Sequence, residues 1–288
     1  MVSRLLKMVT AVGLIALAGC EEDNNPVFDQ VPAAPQGVFS VTGDKAVYLY
    51  WYGPYEGDIR EFIVWRSFDS TTGYTQRGRR AAEPNPNLDL IQYEYIDEGA
   101  GVNNGETYYY AVSSVDKSGQ VSELSAEEVR DTPRPEGIVV LYDVAIDPDR
   151  SGFVFTDIDI LYVDTTEDDG FIDRVGDIFY LNVGNDTTDL QDMGYTDSFD
   201  DIGSAPLVGW SELGWAEIIV GHTYVIWTSD DHYAKMRVES TGTNSVRFQW
   251  AYQIDFQNPQ LVGTNGSIQR PVHDSGYLRY DNKATSIK

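Results

Sequence analysis

The chain has 288 residues and a formal charge of −26, from 46 acidic and 20 basic side chains. That balance argues against nucleic acid as a partner, which needs a basic face, and against electrostatic attachment to anionic lipid headgroups. The length suits two ordinary domains, and 19 Tyr, 11 Phe and 6 Trp suit strands and aromatic contacts at a surface.

Residues 1–19 read as a secretory signal peptide. Arg4 and Lys7 supply the positive start, and the apolar run 9–18 is too short to cross a bilayer. Leu17-Ala18-Gly19-Cys20 resembles a bacterial lipobox, in which the thiol is diacylated, the peptide is cut before the cysteine and the new amine is acylated. The resemblance implies Cys20 as the lipidation site and the membrane as a partner through that anchor. Two or more acyl chains hold firmly where one is marginal. The only cysteine is then consumed, no disulfide framework remains, and the mature chain folds on its apolar core alone. Residues 20–31 form the lipidated tether, because Glu21-Glu22-Asp23-Asn24-Asn25 is too polar to pack. An acidic stretch after the cysteine resembles a surface-export signal of some Gram-negative groups. It implies a lipid anchor in the bacterial outer membrane with the protein facing outward.

Residues 32–131 predict a β-sandwich of short strands between turn signals. Val47, Leu49 and Trp51 alternate, as do Phe62, Val64 and Arg66, then Tyr108, Tyr110 and Val112; turns fall at Gly43-Asp44, Asn103-Asn104-Gly105 and Lys117-Ser118-Gly119. Pro32-x-x-Pro35, Trp51, "FIVWRS" at 62–67, Tyr95-x-Asp97 and "NGETYYYAVSSVDKSGQVSELS" at 104–125 resemble a fibronectin type III domain. The resemblance implies that Tyr108 makes a tyrosine corner and that Trp51 belongs to the core. Arg77, Arg79 and Arg80 are the densest basic patch and read as a solvated loop that balances nearby acids. Residues 132–136, inside "RDTPRPEG", read as a semi-stiff linker of low packing capacity, so the modules on either side are expected to unfold separately.

Residues 137–288 predict a second, antiparallel β-rich domain, making the whole chain all-β. Strands are expected at 137–146 and 177–183. "HTYVIWTS" and "HYAKMRVE" flank Asp230-Asp231 as a two-residue hairpin. That turn pairs Trp227 with Ala234 and Val225 with Met236 on a core face, leaving Tyr224, Ile226, Tyr233, Lys235 and Arg237 on a wetter face. From 245 to 255 the alternation is strict, with Val246, Phe248, Trp250, Tyr252 and Ile254 on one side. The order "GW…GHTYVIWTSDDHYAKMRVES…VRFQWAYQ" at 209–253 resembles the HmuY-type family of haem-binding lipoproteins. After the meander, 258–288 offers one short strand-like segment, Tyr277 to Tyr280, which completes its own sheet edge or adds to that of a neighbouring copy.

Three chemistries are weighed. The HmuY-type resemblance implies haem iron held between two side chains, typically histidines, and the chain has His222, His232 and His273. The expected register puts His222 and His232 on opposite faces, roughly 24 Å apart at ~3.4 Å per residue, which argues against joint ligation. Calcium is the candidate cofactor of the acid-rich segment 143–201, where seventeen acidic residues face two basic ones. Asp147, Asp149 and Ser151 open an EF-hand-like loop, and Asp164, Asp168, Asp169 and Asp173 form a second oxygen-rich turn. Catalysis has little material: no Gly-x-Ser-x-Gly, no His-Glu-x-x-His and no phosphate loop. The chain therefore reads as a noncatalytic cell-surface lipoprotein for binding or assembly, holding a polysaccharide, a protein partner or a copy of itself. Haem capture and an accessory role in a polysaccharide-degrading system are the alternatives. Aromatics on sheet faces, Tyr224 and Tyr233 among them, read first as residues that cover sheet edges, and as the candidates for stacking on sugar rings.

Overall fold

The computed structural model describes residues 30–156, 160–163 and 169–262. The fold is all-β, and among the described residues the only helical turns are Pro148–Arg150 and Phe199–Asp201, each three residues of 3-10 helix. The first seven strands are β1 (Gln36–Gly43), β2 (Ala46–Tyr52), β3 (Ile59–Ser67), β4 (Thr75–Ala81), β5 (Gln92–Glu98), β6 (Tyr108–Asp116) and β7 (Val129–Asp131). They form two antiparallel sheets ordered β1-β2-β5 and β4-β3-β6-β7, the arrangement of a fibronectin type III-like sandwich.

Strand alternation explains its core. Val47, Leu49 and Trp51 of β2 point between the sheets and meet Phe62 and Val64 of β3 and Tyr108, Tyr110 and Val112 of β6. Trp51 lies edge-on to Phe62 with ring centres 5.6 Å apart. The Tyr108 hydroxyl accepts from the Asn103 N–H at 2.9 Å and donates to Glu106 at 2.7 Å, closing the expected tyrosine corner. Burial, helped by the Glu106 hydrogen bond, pushes its pKa up to about 12.

The basic residues differ from expectation. Arg77, Arg79 and Arg80 lie on strand β4, not in a loop. Asp97 is fully buried, and it accepts from Arg66 Nη1 at 2.9 Å, from Arg77 Nε and from the Tyr110 hydroxyl at 2.9 Å. Arg79 Nη1 reaches Glu61 at 2.6 Å. A buried carboxylate requires paired donors, and an edge strand delivers one side chain in two to it.

The second sandwich comprises β8 (Glu136–Tyr142), β9 (Gly152–Phe155), β10 (Ile160–Val163), β11 (Gly170–Val175), β12 (Ile178–Val183), β13 (Asp189–Tyr195), β14 (Trp215–Glu217), β15 (His222–Trp227), β16 (Tyr233–Thr241) and β17 (Ser245–Gln253). Its sheets run β10-β9-β11-β12-β14 and β13-β15-β16-β17-β8. Between them pack Phe153, Phe155, Ile172, Leu181, Phe248 and Trp250, among others.

The β15–β16 hairpin corrects the expected register by one residue. Trp227 pairs with Tyr233, Ile226 with Ala234, and Tyr224 with Met236. The loop is longer than two residues: Asp231 N–H donates to Thr228 O at 3.0 Å, Thr228 N–H donates to His232 O at 2.9 Å, and Asp231 is left-handed at φ +64°. A turn closed by a left-handed residue inserts one extra position, and a slip of one exchanges the faces of β15, while Ala234 and Met236 on β16 keep the core side expected of them. Tyr224, Ile226, Ala234 and Met236 are core, whereas Trp227 and Tyr233 face outward.

The connector is also not what its composition suggests. Asp131, Thr132 and Arg134 are buried. Arg134 N–H donates to Gly43 O at 3.1 Å, Gly105 N–H to Pro133 O at 2.8 Å and Tyr252 N–H to Pro135 O at 3.0 Å. The prolines lack donors, but their carbonyls accept from both sandwiches and bind the strip into a shared interface. Val262 packs against Phe39, Val41 and Tyr50 of the first sandwich, and both sandwiches belong to one compact unit.

Candidate functional site

The outward face of β9-β11-β12-β14 follows from period-two alternation. Phe153, Ile172 and Leu181 point into the core, so their neighbours in sequence point out. Register places Trp215 beside Asn182, Asn182 beside Phe171, and Tyr180 between Glu217 and Asp173. Trp215 is 41% exposed and stands edge-on to Tyr180, with ring centres 5.3 Å apart at 86°. Asn182 Nδ2 donates to Asp173 Oδ1 at 3.0 Å, which fixes the amide. Gly214, at φ +67°, makes the turn into β14, and Val183 N–H donates to its carbonyl at 2.9 Å. The result is an exposed indole and a phenol ringed by an amide and two carboxylates on a rigid sheet.

A second aromatic group lies on the opposite sheet. Trp227 and Tyr233 stack across β15 and β16 at 5.6 Å, and Trp210 leans on Trp227 at 5.8 Å. Of the two tyrosines named for sugar stacking, Tyr233 is half-buried here. Tyr224 is fully buried, its hydroxyl donating to Glu217 O at 2.6 Å and accepting from Ile219 N–H at 3.0 Å, so it is corrected to a core residue. Sequence reading missed Trp215 and Tyr180, which lie in a three-residue strand and a strand whose alternation shows only against its neighbours.

In the first sandwich a cleft of about 310 Å³ opens over Phe62 and Tyr93. Its rim is already occupied by the protein itself. Lys117 Nζ donates to Gly57 O at 3.0 Å, and Asn85 and Asp89 bond each other at 2.7 and 2.8 Å.

The residues considered for calcium do not converge among the described ones. Asp147 accepts from Arg150 Nε at 2.8 Å, Asp149 is exposed, and Ser151 Oγ donates to Pro148 O at 2.9 Å. Asp169 Oδ2 caps the Phe155 N–H at 2.9 Å. Asp173 is on the aromatic face, and Asp164 and Asp168 lie outside the described residues. No group of three acidic, histidine or cysteine side chains with metal-site geometry occurs among the described residues.

The haem candidates stay apart. His222 opens β15, where Nδ1 meets both Asp192 oxygens at 2.9 Å. His232 closes the loop at the other end of that strand, near Asp230 at 3.3 Å. His273 and the lipidation residue Cys20 lie outside the described residues.

Among solved structures, an Fn3-like protein from Clostridium thermocellum is similar to the chain at 28% identity, covering 34% of this chain and 88% of its own with a TM-score of 0.25. A DUF4466 family protein from Parabacteroides merdae is similar at 10% identity, covering 80% of this chain and 95% of its own with a TM-score of 0.37. No protein-family model matches the sequence, and no curated protein matches it.

Proposed function

We propose that the chain is a noncatalytic lipoprotein, anchored through Cys20 in a bacterial outer membrane and facing outward, that holds a neutral polysaccharide on the Trp215–Tyr180 face. The observation that carries this reading is the exposed Trp215 ring set against Tyr180 beside the Asn182–Asp173 pair. The negative face of an aromatic ring attracts the weakly positive C–H face of a pyranose. Amide and carboxylate groups then bond the equatorial hydroxyls. A protein of net charge −26 repels acidic glycans, which leaves neutral ones as the favoured class. Holding without cutting suits an accessory member of a polysaccharide-degrading system.

Affinity electrophoresis in gels cast with neutral polysaccharides tests the reading. Retardation of the wild-type chain is expected, with Trp215→Ala weakening binding by about 2 kcal/mol, the loss typical of an aromatic anchor. Wild-type protein retarded by no neutral glycan, or a Trp215→Ala variant retarded equally, overturns it. The anchor has its own check. Cys20→Ser is expected to move the protein from the detergent phase to the aqueous phase, and unchanged partitioning removes the lipid from the proposal.

A further inference from the structure

The face that carries Trp215 and Tyr180 ends in an apolar pair. Ile172 of β11 and Phe179 and Leu181 of β12 point into the core, so Val175 and Ile178 point outward with Asp173 and Tyr180. Val175 stands opposite Ile178 across the two strands, as Asp173 stands opposite Tyr180. Ile178 and Tyr180 are two positions apart on β12, about 7 Å along one face. Val175 is 64% exposed and Ile178 40%. The turn between them is left-handed at Gly176, φ +65°, and nothing lies within 4 Å of where a Cβ of Gly176 would stand. Exposed apolar residues scattered singly need no account. Here two face each other and continue the Trp215–Tyr180 pair, which makes a contiguous patch of the kind that marks a binding surface.

The polar groups around this pair narrow the ligand. Asp173 and Glu217 flank Tyr180, and the Asp177 side chain in the turn is fully exposed. Ionised carboxylates accept hydrogen bonds and donate none. Arg174, the cation beside them, is committed to Asp177 at 2.9 Å and to Thr243 O at 3.0 Å. Sugar hydroxyls therefore find acceptors on this face. The exocyclic C6 group of a pyranose lies at the edge of the ring, so a ring seated on Tyr180 sets it over Val175 and Ile178. A hydroxymethyl group there loses water without gaining a partner. An acyl group brings a carbonyl oxygen that needs a donor, and an acidic group meets like charge. A methyl group gains burial and needs no partner.

We propose, resting on the reading of this face as a site for neutral polysaccharide, that its ligand is a glycan of 6-deoxyhexose units. The ring seats on Trp215 and Tyr180, its hydroxyls donate to Asp173 and Glu217, and its C6 methyl covers Val175 and Ile178. Affinity electrophoresis of the full mature chain carrying Cys20→Ser tests it. The gels are cast with polyacrylamide bearing L-fucose or L-galactose, or L-rhamnose or L-mannose, two pairs that differ only at C6, and with the 6-O-acetyl forms of the two hexoses. In at least one pair, half-maximal retardation is expected at about tenfold lower sugar concentration for the deoxy member, the low end for one methyl in a site. Val175→Ser with Ile178→Ser, both at exposed positions, is expected to abolish that ratio and leave the hexose forms retarded as before. Trp215→Ala is expected to weaken both members alike. Equal retardation within both pairs, strongest retardation by an acetylated form, or a ratio that survives the double variant overturns this inference alone. So does retardation by other neutral polysaccharides but by none of these sugars. Retardation by no neutral glycan overturns the underlying reading with it.

Discussion

Asp97 is a buried charge whose neighbours were placed to serve it. With Arg66, Arg77 and Tyr110 all donating to it, removing the charge leaves two guanidinium groups without their partner. Asp97→Asn is therefore expected to destabilise the chain by about 3 kcal/mol, at the low end for a broken buried pair because both arginines retain some solvent contact; urea unfolding measures it. The buried tyrosines give a pH dependence with a definite sign. Desolvation is the first cause of the raised pKa of Tyr108, Tyr110 and Tyr224. An unfolded tyrosine titrates near 10, whereas Tyr108 titrates at about 12 in the fold. Between those values the folded state holds more protons than the unfolded state, so stability is full below pH 10 and falls as pH rises toward 12. The urea midpoint is expected to drop across that window, and more shallowly in Tyr108→Phe, which no longer has the group to titrate. An unchanged slope in that variant assigns the alkaline loss to other residues.

At the scale of the element, the β15–β16 hairpin rests on one left-handed aspartate. Glycine adopts that conformation without the clash of a Cβ, so Asp231→Gly is expected to raise stability by up to about 1 kcal/mol. Deleting Ser229 asks the loop to close with one residue fewer. The pairing then shifts by one, Tyr224 and Ile226 on β15 turn away from the core while Met236 on β16 stays in it, and cooperative unfolding of the second sandwich is expected to be lost. Near-ultraviolet circular dichroism and thermal melts distinguish the two variants. A Ser229 deletion that still melts cooperatively with native tertiary signal shows that the strands, not the loop, set the register.

For the whole molecule, the buried connector predicts joint behaviour of the sandwiches. Gly105 of the first sits at φ +79°, and a Cβ there would come within 2.8 Å of Ile254 Cγ1 in the second. Gly105→Ala is expected to cost about 1–3 kcal/mol through overpacking and to shift one common transition. Calorimetry reads this directly: a single peak with calorimetric and van't Hoff enthalpies in agreement is the expected result. Two peaks, only one of which moves, mean that the interface is weaker than its hydrogen bonds suggest.

Alternation and turn residues determined much of this protein in advance. The inward row Val47, Leu49 and Trp51, the Tyr108 corner, the 245–253 strand and the all-β class were legible because each depends on residues close in sequence or on a two-residue period. The candidate site was legible only as a surplus of aromatics. Trp215 and Tyr180 are 35 positions apart and meet because β14 pairs with β12, a long-range contact that no local pattern encodes. Tertiary structure alone decided the hairpin register, since a turn of two or three residues reads alike around Asp230-Asp231, while the slip reverses every side chain of β15 against an unchanged β16. It alone decided the connector too. Prolines and charges mark a segment as unable to join a sheet, but whether it lies in water or between two sandwiches depends on which backbone donors approach its carbonyls.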